Sequence, residues 1–175
     1  MTAIDLSNNT SLLVLNCQHN ELTSLDVSNN ILLEELYCGN PALDVGPFNI
    51  LANLDLGNNI NLKIIECIAV LQNITTIDLS ANTNLVELYC SFNNITNLDL
   101  TNNTQLEIIN VNFCELTGLH LETNTALRDL TVARVYPMIP WSNTNQIQSL
   151  NLTHNIALEI FWFEDSGAVE ELNLK

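Results

Sequence analysis

The sequence predicts a mainly β solenoid, in which the chain winds in stacked parallel coils with little or no α-helix. Two half-motifs alternate along the whole chain, Leu-Asp-Leu/Val-Ser-x-Asn and Leu-x-x-Leu-x-Cys-x-x-Asn-x-Leu. The first returns at a basic interval of 21 residues, as from Ile4 to Leu25 and from Ile77 to Leu98, with a few longer intervals. Apolar residues at the 3.6-residue spacing of a helix do not persist for the length of a helix. These observations predict one domain over residues 1–175, made of about seven coils.

The Leu-x-x-Leu-x-Cys half of each repeat predicts a short strand. Its apolar residues alternate with polar ones, as at Leu15 and Cys17, and alternate side chains of a strand point to the same face. The strands of successive coils then pair in parallel at ~4.8 Å. Because one coil cannot bury its own leucines, each coil depends on its neighbours for stability.

The other half of each repeat predicts a second short extended segment followed by a turn. An asparagine follows this segment in most coils, and its amide can satisfy turn backbone groups that no sheet satisfies. This column contains Asn9, Asn30, Asn59, Asn82, Asn103, Asn124 and Asn155. A second polar column contains Asn20, Gln72, Asn93 and Cys114.

The charge of the chain excludes several kinds of partner. It has 4 basic and 20 acidic residues, and its formal net charge is −16. Nucleic acids and anionic lipid headgroups attract proteins through lysine and arginine, so we expect neither to bind. No apolar run approaches the roughly 18 residues of a membrane-spanning helix, and residues 1–6 lack the features of a secretion signal. Cationic ligands, metal ions and neutral sugars remain compatible with this charge.

Four of the five cysteines fall in one column, two residues after a core leucine or isoleucine: Cys17, Cys38, Cys67 and Cys90. A zinc site requires cysteines that converge from short spacings, whereas these are 21 or more residues apart. A disulfide bond requires Cβ atoms ~3.8 Å apart, which parallel neighbours stacked at ~4.8 Å miss. We therefore favour a column of buried, reduced thiols.

These repeats resemble those of a known family. The Leu-x-x-Leu-x-Cys segments, joined to Leu-Asp-Val-Ser-x-Asn at residues 25–30, are similar to the cysteine-containing leucine-rich repeats of bacterial surface proteins of the internalin J type and of secreted Bacteroidetes proteins. The resemblance covers nearly the whole chain, although Val111, Val132 and Phe163 take the cysteine position in later coils. It implies a leucine-rich-repeat solenoid of right-handed coils whose parallel sheet lines the concave side, located at a cell surface or secreted. It implies function only loosely, because one scaffold serves many partners.

Residues that alternate with the buried positions of each strand face outward, and on the concave side they are candidate ligand-binding positions. Tyrosine and tryptophan near carboxylates suit protein hot spots or stacking against sugars. The candidates on this face are Glu35, Tyr37, Glu66, Glu87, Tyr89 and Trp162. Aromatic residues are also common in strands for structural reasons, so that alternative stays open.

The longer intervals between repeats predict insertions near residues 44–53, 69–71 and 134–148. All of them follow the strand half and precede the other half, so they emerge on one rim, and one-sided insertions often mark a binding face. The candidate ligand-binding residues of this rim are Phe48, Tyr136 and Trp141. The alternative is that these apolar side chains fold back over the edge of the core.

The chain contains no recognisable motif for catalysis, a metal or a cofactor. His19, His120 and His154 lie in different coils, and no Gly-x-Ser-x-Gly, P-loop or His-Glu-x-x-His motif occurs. A column of aspartates occupies the Leu-Asp-Leu segments. Calcium needs six to eight oxygen ligands, so turn capping explains these aspartates more simply. We therefore expect no enzyme activity and no metal or cofactor.

The sequence favours a non-catalytic adhesion module that binds a protein or a glycan at a bacterial surface or as part of a secreted protein. The rival hypothesis is a structural spacer without a ligand of its own, which predicts featureless outward columns and no insertions. Both ends of the chain lie within a repeat, at residues 4–6 and 172–174. Uncapped coils expose core and a strand edge, so we expect a piece of a larger protein that can self-associate through its ends.

Overall fold

In the computed structural model, which describes residues 1–40, 47–69, 74–133, 145–164 and 171–174, the Leu-x-x-Leu-x-Cys segments form a parallel sheet. The described residues contain nine strands and no helix. The strands are β1 Val14–Asn16, β2 Glu35–Tyr37, β3 Ile64–Glu66, β4 Glu87–Tyr89, β5 Ile108–Asn110, β6 Asp129–Ala133, β7 Ser149–Asn151, β8 Ile160–Glu164 and β9 Glu171–Asn173. Seven of them form one sheet in the order β1-β2-β3-β4-β5-β6-β8. The predicted β-rich leucine-rich-repeat solenoid is confirmed.

Neighbouring strands of the large sheet are in register residue for residue. The middle residue of each short strand is apolar, so Leu15 pairs with Leu36, Leu36 with Ile65 and Ile65 with Leu88. These residues are buried, and the residues on either side of them point to the opposite face. The outward face of the sheet therefore presents two straight rows of side chains. The first row comes from the residue before each middle position, and the second row from the residue after it.

The cysteine column lies directly behind the second row, inside the core. Cys17, Cys38, Cys67 and Cys90 are free and buried, which confirms the prediction of buried thiols. Val111 and Val132 occupy the same buried column in the next two coils. Cys114 is also buried, and its Sγ lies 3.4 Å from the carbonyl oxygen of Cys90.

A ladder of buried asparagines joins each coil to the coil before it. The Nδ2 of Asn103 donates to the carbonyl oxygens of Leu79 and Asn82, at 3.0 and 2.8 Å. The same pair of bonds to the preceding coil is made by Asn30, Asn59, Asn82, Asn124 and Asn155. The Oδ1 atoms of these asparagines accept no hydrogen bond within the described chain, so the Nδ2 donors make the ladder. The predicted role of this column in satisfying the turns is confirmed for these six residues.

A second ladder satisfies the carbonyls where the chain leaves the sheet. The Nδ2 of Asn93 donates to the carbonyl oxygens of Cys67 and Cys90, and its Oδ1 accepts a backbone N–H of the preceding coil. Asn49 makes the equivalent contacts to the coils of β1 and β2, and Asn145 to the coil of β5. The coils with longer repeat intervals therefore also contribute an asparagine to this second ladder.

Asn49 and Asn145 lie within the predicted insertions near residues 44–53 and 134–148. Each of them starts an Asn-x-Leu or Asn-x-Ile segment, as Asn93 does, and makes contacts equivalent to those of Asn93. The extent of the insertions stays a prediction, because the interval between Leu-Asp-Leu segments gives the number of extra residues but not their position.

The expected second extended segment forms paired strands in one part of the chain only. Segments such as residues 25–27 are buried at alternate positions but belong to no strand. Among the described residues, this half of the repeat pairs only where β7 meets β9. The tight turns that follow the segments hold the coils together instead, through the asparagine ladder.

Candidate functional site

Five of the six residues predicted for the sheet face come together on β2, β3 and β4. We call this surface the Tyr–Glu patch, and it consists of Glu35, Tyr37, Glu66, Glu87 and Tyr89. In the second row Tyr37 pairs with Glu66 and Glu66 with Tyr89, while in the first row Ile64 lies between Glu35 and Glu87. Neighbouring strands lie ~4.8 Å apart, so the three carboxylates and two phenol rings form one continuous surface.

Each tyrosine of the Tyr–Glu patch holds the glutamate two residues before it. The Tyr37 hydroxyl donates to Glu35 Oε2, and the Tyr89 hydroxyl donates to Glu87 Oε2, both at 2.9 Å. Residues two apart on a strand share a face, which allows this contact. Burial raises the pKa of Tyr37 to about 12, and the hydrogen bond to Glu35 and the nearby carboxylates add to the effect. The pKa of Tyr89 is raised for the same reasons, so both phenols stay protonated donors at neutral pH.

Glu66 lies at the centre of the patch, between the two tyrosines. Its Oε1 accepts a hydrogen bond of 2.6 Å from Gln18 Nε2. Burial raises the pKa of Glu66, while the bond from Gln18 and the field of His19 oppose that rise. The carboxylate is therefore partly desolvated, with one neutral donor on one of its two oxygens.

The described lysine and arginine side chains pair with carboxylates outside the patch. Lys63 Nζ lies 2.6 Å from Glu34 Oε2. Arg128 contacts Glu159 at 3.0 Å and Glu107 at 3.9 Å. These ion pairs are exposed and lie in the column that precedes the strands. Within the described part of the chain, no lysine or arginine neutralises the Tyr–Glu patch.

Trp162 lies apart from the patch. It belongs to β8 and is 68 % exposed. The sheet order places β8 three strands from β4, which corresponds to about 14 Å between Trp162 and Tyr89. Ile160 is exposed beside it in the first row. The structure therefore separates the sheet candidates into a central patch and one apolar end position.

Solved structures of known proteins share this fold. The functional domain of InlJ from Listeria monocytogenes, which includes a cysteine ladder, is 30% identical, with a TM-score of 0.73 over 98% of this chain and 39% of that chain. The chain has a leucine-rich-repeat fold similar to that of InlJ. Internalin F from the same species is 21% identical, with a TM-score of 0.72 over 95% of this chain and 49% of that one. The Leptospira interrogans protein LIC12759 is 17% identical, with a TM-score of 0.53 over the same shares. The two less similar structures support the fold alone.

Family models and curated proteins give no further match. No protein-family model matches the sequence, and no curated protein matches it. The chain spans about two-fifths of the InlJ chain and about half of the internalin F chain.

The rim candidates of the chain are described only in part. Phe48 is half-buried just before the ladder residue Asn49. Tyr136 and Trp141 lie outside the described residues. Gln18, which contacts Glu66, was not among the predicted site residues. Its place just after the cysteine column gave no signal, because the contact depends on a side chain reaching across the sheet.

The aspartates of the Leu-Asp-Leu column cap turns. In each of five coils the Oδ1 accepts the backbone N–H two residues further on: Asp5, Asp26, Asp55, Asp78 and Asp99. Hydrogen bonds from the residue two positions on lower the pKa of Asp5, Asp26, Asp78 and Asp99. Across the described ranges, no group of three or more His, Cys, Asp or Glu is placed to hold a metal ion. No helix long and apolar enough to span a membrane occurs in them either.

Proposed function

We propose that this chain is a non-catalytic binding module that takes a protein ligand on the outward face of its sheet. The observation that carries the proposal is the Tyr–Glu patch, because it places two phenol rings beside three carboxylates on a rigid sheet. Tyrosine and tryptophan contribute much of the binding energy of protein interfaces. The parallel strands fix the positions of these side chains before a ligand arrives, which reduces the entropy lost on binding.

We further propose that the module belongs to a longer bacterial protein that is secreted or displayed on the cell surface. The support for this is its likeness to InlJ and its coverage of only 39% of that chain. Adhesion to a host or neighbouring cell is the activity that such a location favours. A glycan ligand is the alternative outcome, because phenol rings and carboxylates also bind sugars.

Substitutions on the sheet face test the binding proposal. A display library of proteins and a glycan array identify the ligand, and Tyr89→Ala and Trp162→Ala are then compared with Ile60→Ala. Ile60 is an exposed apolar side chain in the turn before β3, so it controls for the loss of apolar surface. We expect losses of about 1–3 kcal/mol of binding free energy for a hot-spot position and little for the control. Equal binding by all variants contradicts the proposal and favours the spacer.

We also propose that the domain self-associates through the edge of β1. Among the described strands, only β2 pairs with β1, and Leu13 and Val14 beside that edge are about half exposed. An open edge can pair with another chain, whereas the net charge of −16 opposes the approach. Analytical ultracentrifugation should show association that strengthens with salt, and a monomer at high salt contradicts it.

A further inference from the structure

The chemical groups of the Tyr–Glu patch limit the kinds of partner that can bind it. Its charged groups are all carboxylates, and its apolar surface is mainly the two phenol rings. Because the Tyr37 and Tyr89 hydroxyls donate to Glu35 and Glu87, these carboxylates are held in place with lone pairs still free to accept. A ligand that complements this surface offers positive charge, several N–H donors and a flat group that stacks on a ring.

Glu66 is the position where these features converge. Its pairing partners in the second row are Tyr37 on one side and Tyr89 on the other, each one strand spacing of ~4.8 Å away. Glu66 therefore has a tyrosine on each neighbouring strand, and a phenol ring attracts a cation that comes within ~6 Å of its centre. Gln18 occupies Glu66 Oε1 as a neutral donor, so it orients the carboxylate without neutralising it.

Within the described ranges no lysine or arginine pairs with this charge, and the positive field that acts on Glu66 there is that of His19. Lys63 and Arg128 are held by Glu34, Glu107 and Glu159 in the neighbouring column. Partial burial of Glu66 weakens the solvation of its charge, as its raised pKa indicates, so a cation in contact with it is screened less than at a fully exposed site.

We propose that the Tyr–Glu patch binds an arginine-bearing basic segment of a partner protein. This inference rests on the proposed function of the sheet face as a ligand-binding surface. A guanidinium is planar, always charged and able to form two parallel hydrogen bonds to a carboxylate while it stacks on an aromatic ring. A lysine ammonium supplies the charge without the planar fork, so it fits the patch less well.

Peptide binding measured by calorimetry tests the partner chemistry. The probes are an arginine-rich peptide, a lysine-rich peptide of equal length and an uncharged peptide of equal length. We expect the arginine-rich peptide to bind best, the lysine-rich peptide about threefold or more weaker, and the uncharged peptide not at all. Raising the salt concentration should weaken binding of the arginine-rich peptide. Equal binding of the two basic peptides overturns the preference for arginine.

Two variants with the same net charge separate recognition from general attraction to an acidic protein. Glu66→Gln and Glu122→Gln each remove one carboxylate, but Glu122 is exposed in a turn outside the sheet. We expect Glu66→Gln to weaken binding of the arginine-rich peptide by about tenfold. Glu122→Gln should weaken it by less than about twofold. Equal losses overturn the proposal. Glu87→Gln serves as the second patch variant if circular dichroism shows that Glu66→Gln is misfolded.

A random peptide display library distinguishes failure of this inference from failure of the proposed function. Selected peptides that lose binding with Tyr89→Ala and are enriched in arginine support both. Selected peptides that depend on Tyr89 but lack arginine overturn the inference and leave the proposed function standing. Selected peptides that bind independently of Tyr89, Glu66 and Trp162 overturn both.

Discussion

At the scale of single residues, Gly39 shows how closely neighbouring coils approach. A Cβ atom added to Gly39 would overlap the backbone N and O of Ile68 in the next coil. Backbone atoms cannot move aside as a flexible side chain can. The two coils can therefore stack here only because residue 39 has no side chain.

We expect Gly39→Ala to lower the free energy of unfolding by about 1–3 kcal/mol, because the coils must separate to admit the methyl group. Gly57→Ala is the matched control, since its Cβ would meet only Asp55 Oδ1 at 3.4 Å, an ordinary contact. That variant should stay within about 0.5 kcal/mol of the parent. Urea unfolding measures both, and similar values for the two variants would contradict the close approach.

The buried cysteines make the free energy of unfolding depend on pH in the alkaline range. Burial raises the pKa of Cys17 to about 11 and that of Cys67 to about 12, from 9.0. The unfolded chain therefore releases these protons first as the pH rises. The stability that the neutral thiols contribute is complete below about pH 9 and is lost as the pH rises through about 11 to 12.

We expect the free energy of unfolding to fall between about pH 9 and about pH 10.5, by about 1–2 kcal/mol for each fully buried thiol. The control replaces Cys38, Cys67 and Cys90 by valine, the residue that occupies the same column at positions 111 and 132. This variant should lose less stability over the same range, whereas the contribution of the tyrosines is common to both proteins. The same pH dependence in both proteins would rule out the thiols as its source.

At the scale of elements, the sequence predicts the structural features that follow from the repeat alone. The strands and their leucine columns follow from the alternation of apolar residues, and the closeness of Tyr37, Glu66 and Tyr89 follows from identical positions in successive coils. The repeat could not indicate that Gln18 reaches Glu66, because side-chain reach has no periodicity. It also missed Asn49 as a ladder residue, although the Asn-x-Leu spacing shared with Asn93 carried that signal.

The equivalence of coils can be tested by removing one. Glu87 pairs with Ile108, and 108 − 87 = 21 residues, so deletion of residues 87–107 removes one whole coil and leaves β5 to pair with β3. Because each coil contacts mainly its neighbours, we expect one cooperative unfolding transition at lower stability. Chemical denaturation followed by circular dichroism measures it.

Deletion of residues 88–107, one residue shorter, is the control for register. It brings Asn110 into the buried position of Val111, because a shift of one residue exchanges the two faces of a strand. This protein should lack a cooperative transition. If both deletions unfold alike, stacking in register does not determine the fold.

At the scale of the whole molecule, the net charge of −16 opposes folding. Like charges repel more strongly in the compact state than in the extended chain, and salt screens them. We expect sodium chloride to raise the melting temperature by about 2–4 °C for each kcal/mol of repulsion removed. Calcium chloride at equal ionic strength should raise it no more than magnesium chloride, because the aspartates of the Leu-Asp-Leu column already accept backbone N–H groups. A melting temperature that is unchanged or lowered by salt contradicts this expectation.

The asparagine ladder gives the molecule a direction as well as a repeat. Asn59, Asn82 and Asn103 each donate to carbonyls of the coil made before them and never to the coil made after. During synthesis, a coil that has just left the ribosome has its leucines in place while its turn carbonyls still await their donor. That donor arrives only when the following coil emerges. The hydrogen bonds of each turn are therefore completed only after the next coil has been synthesised.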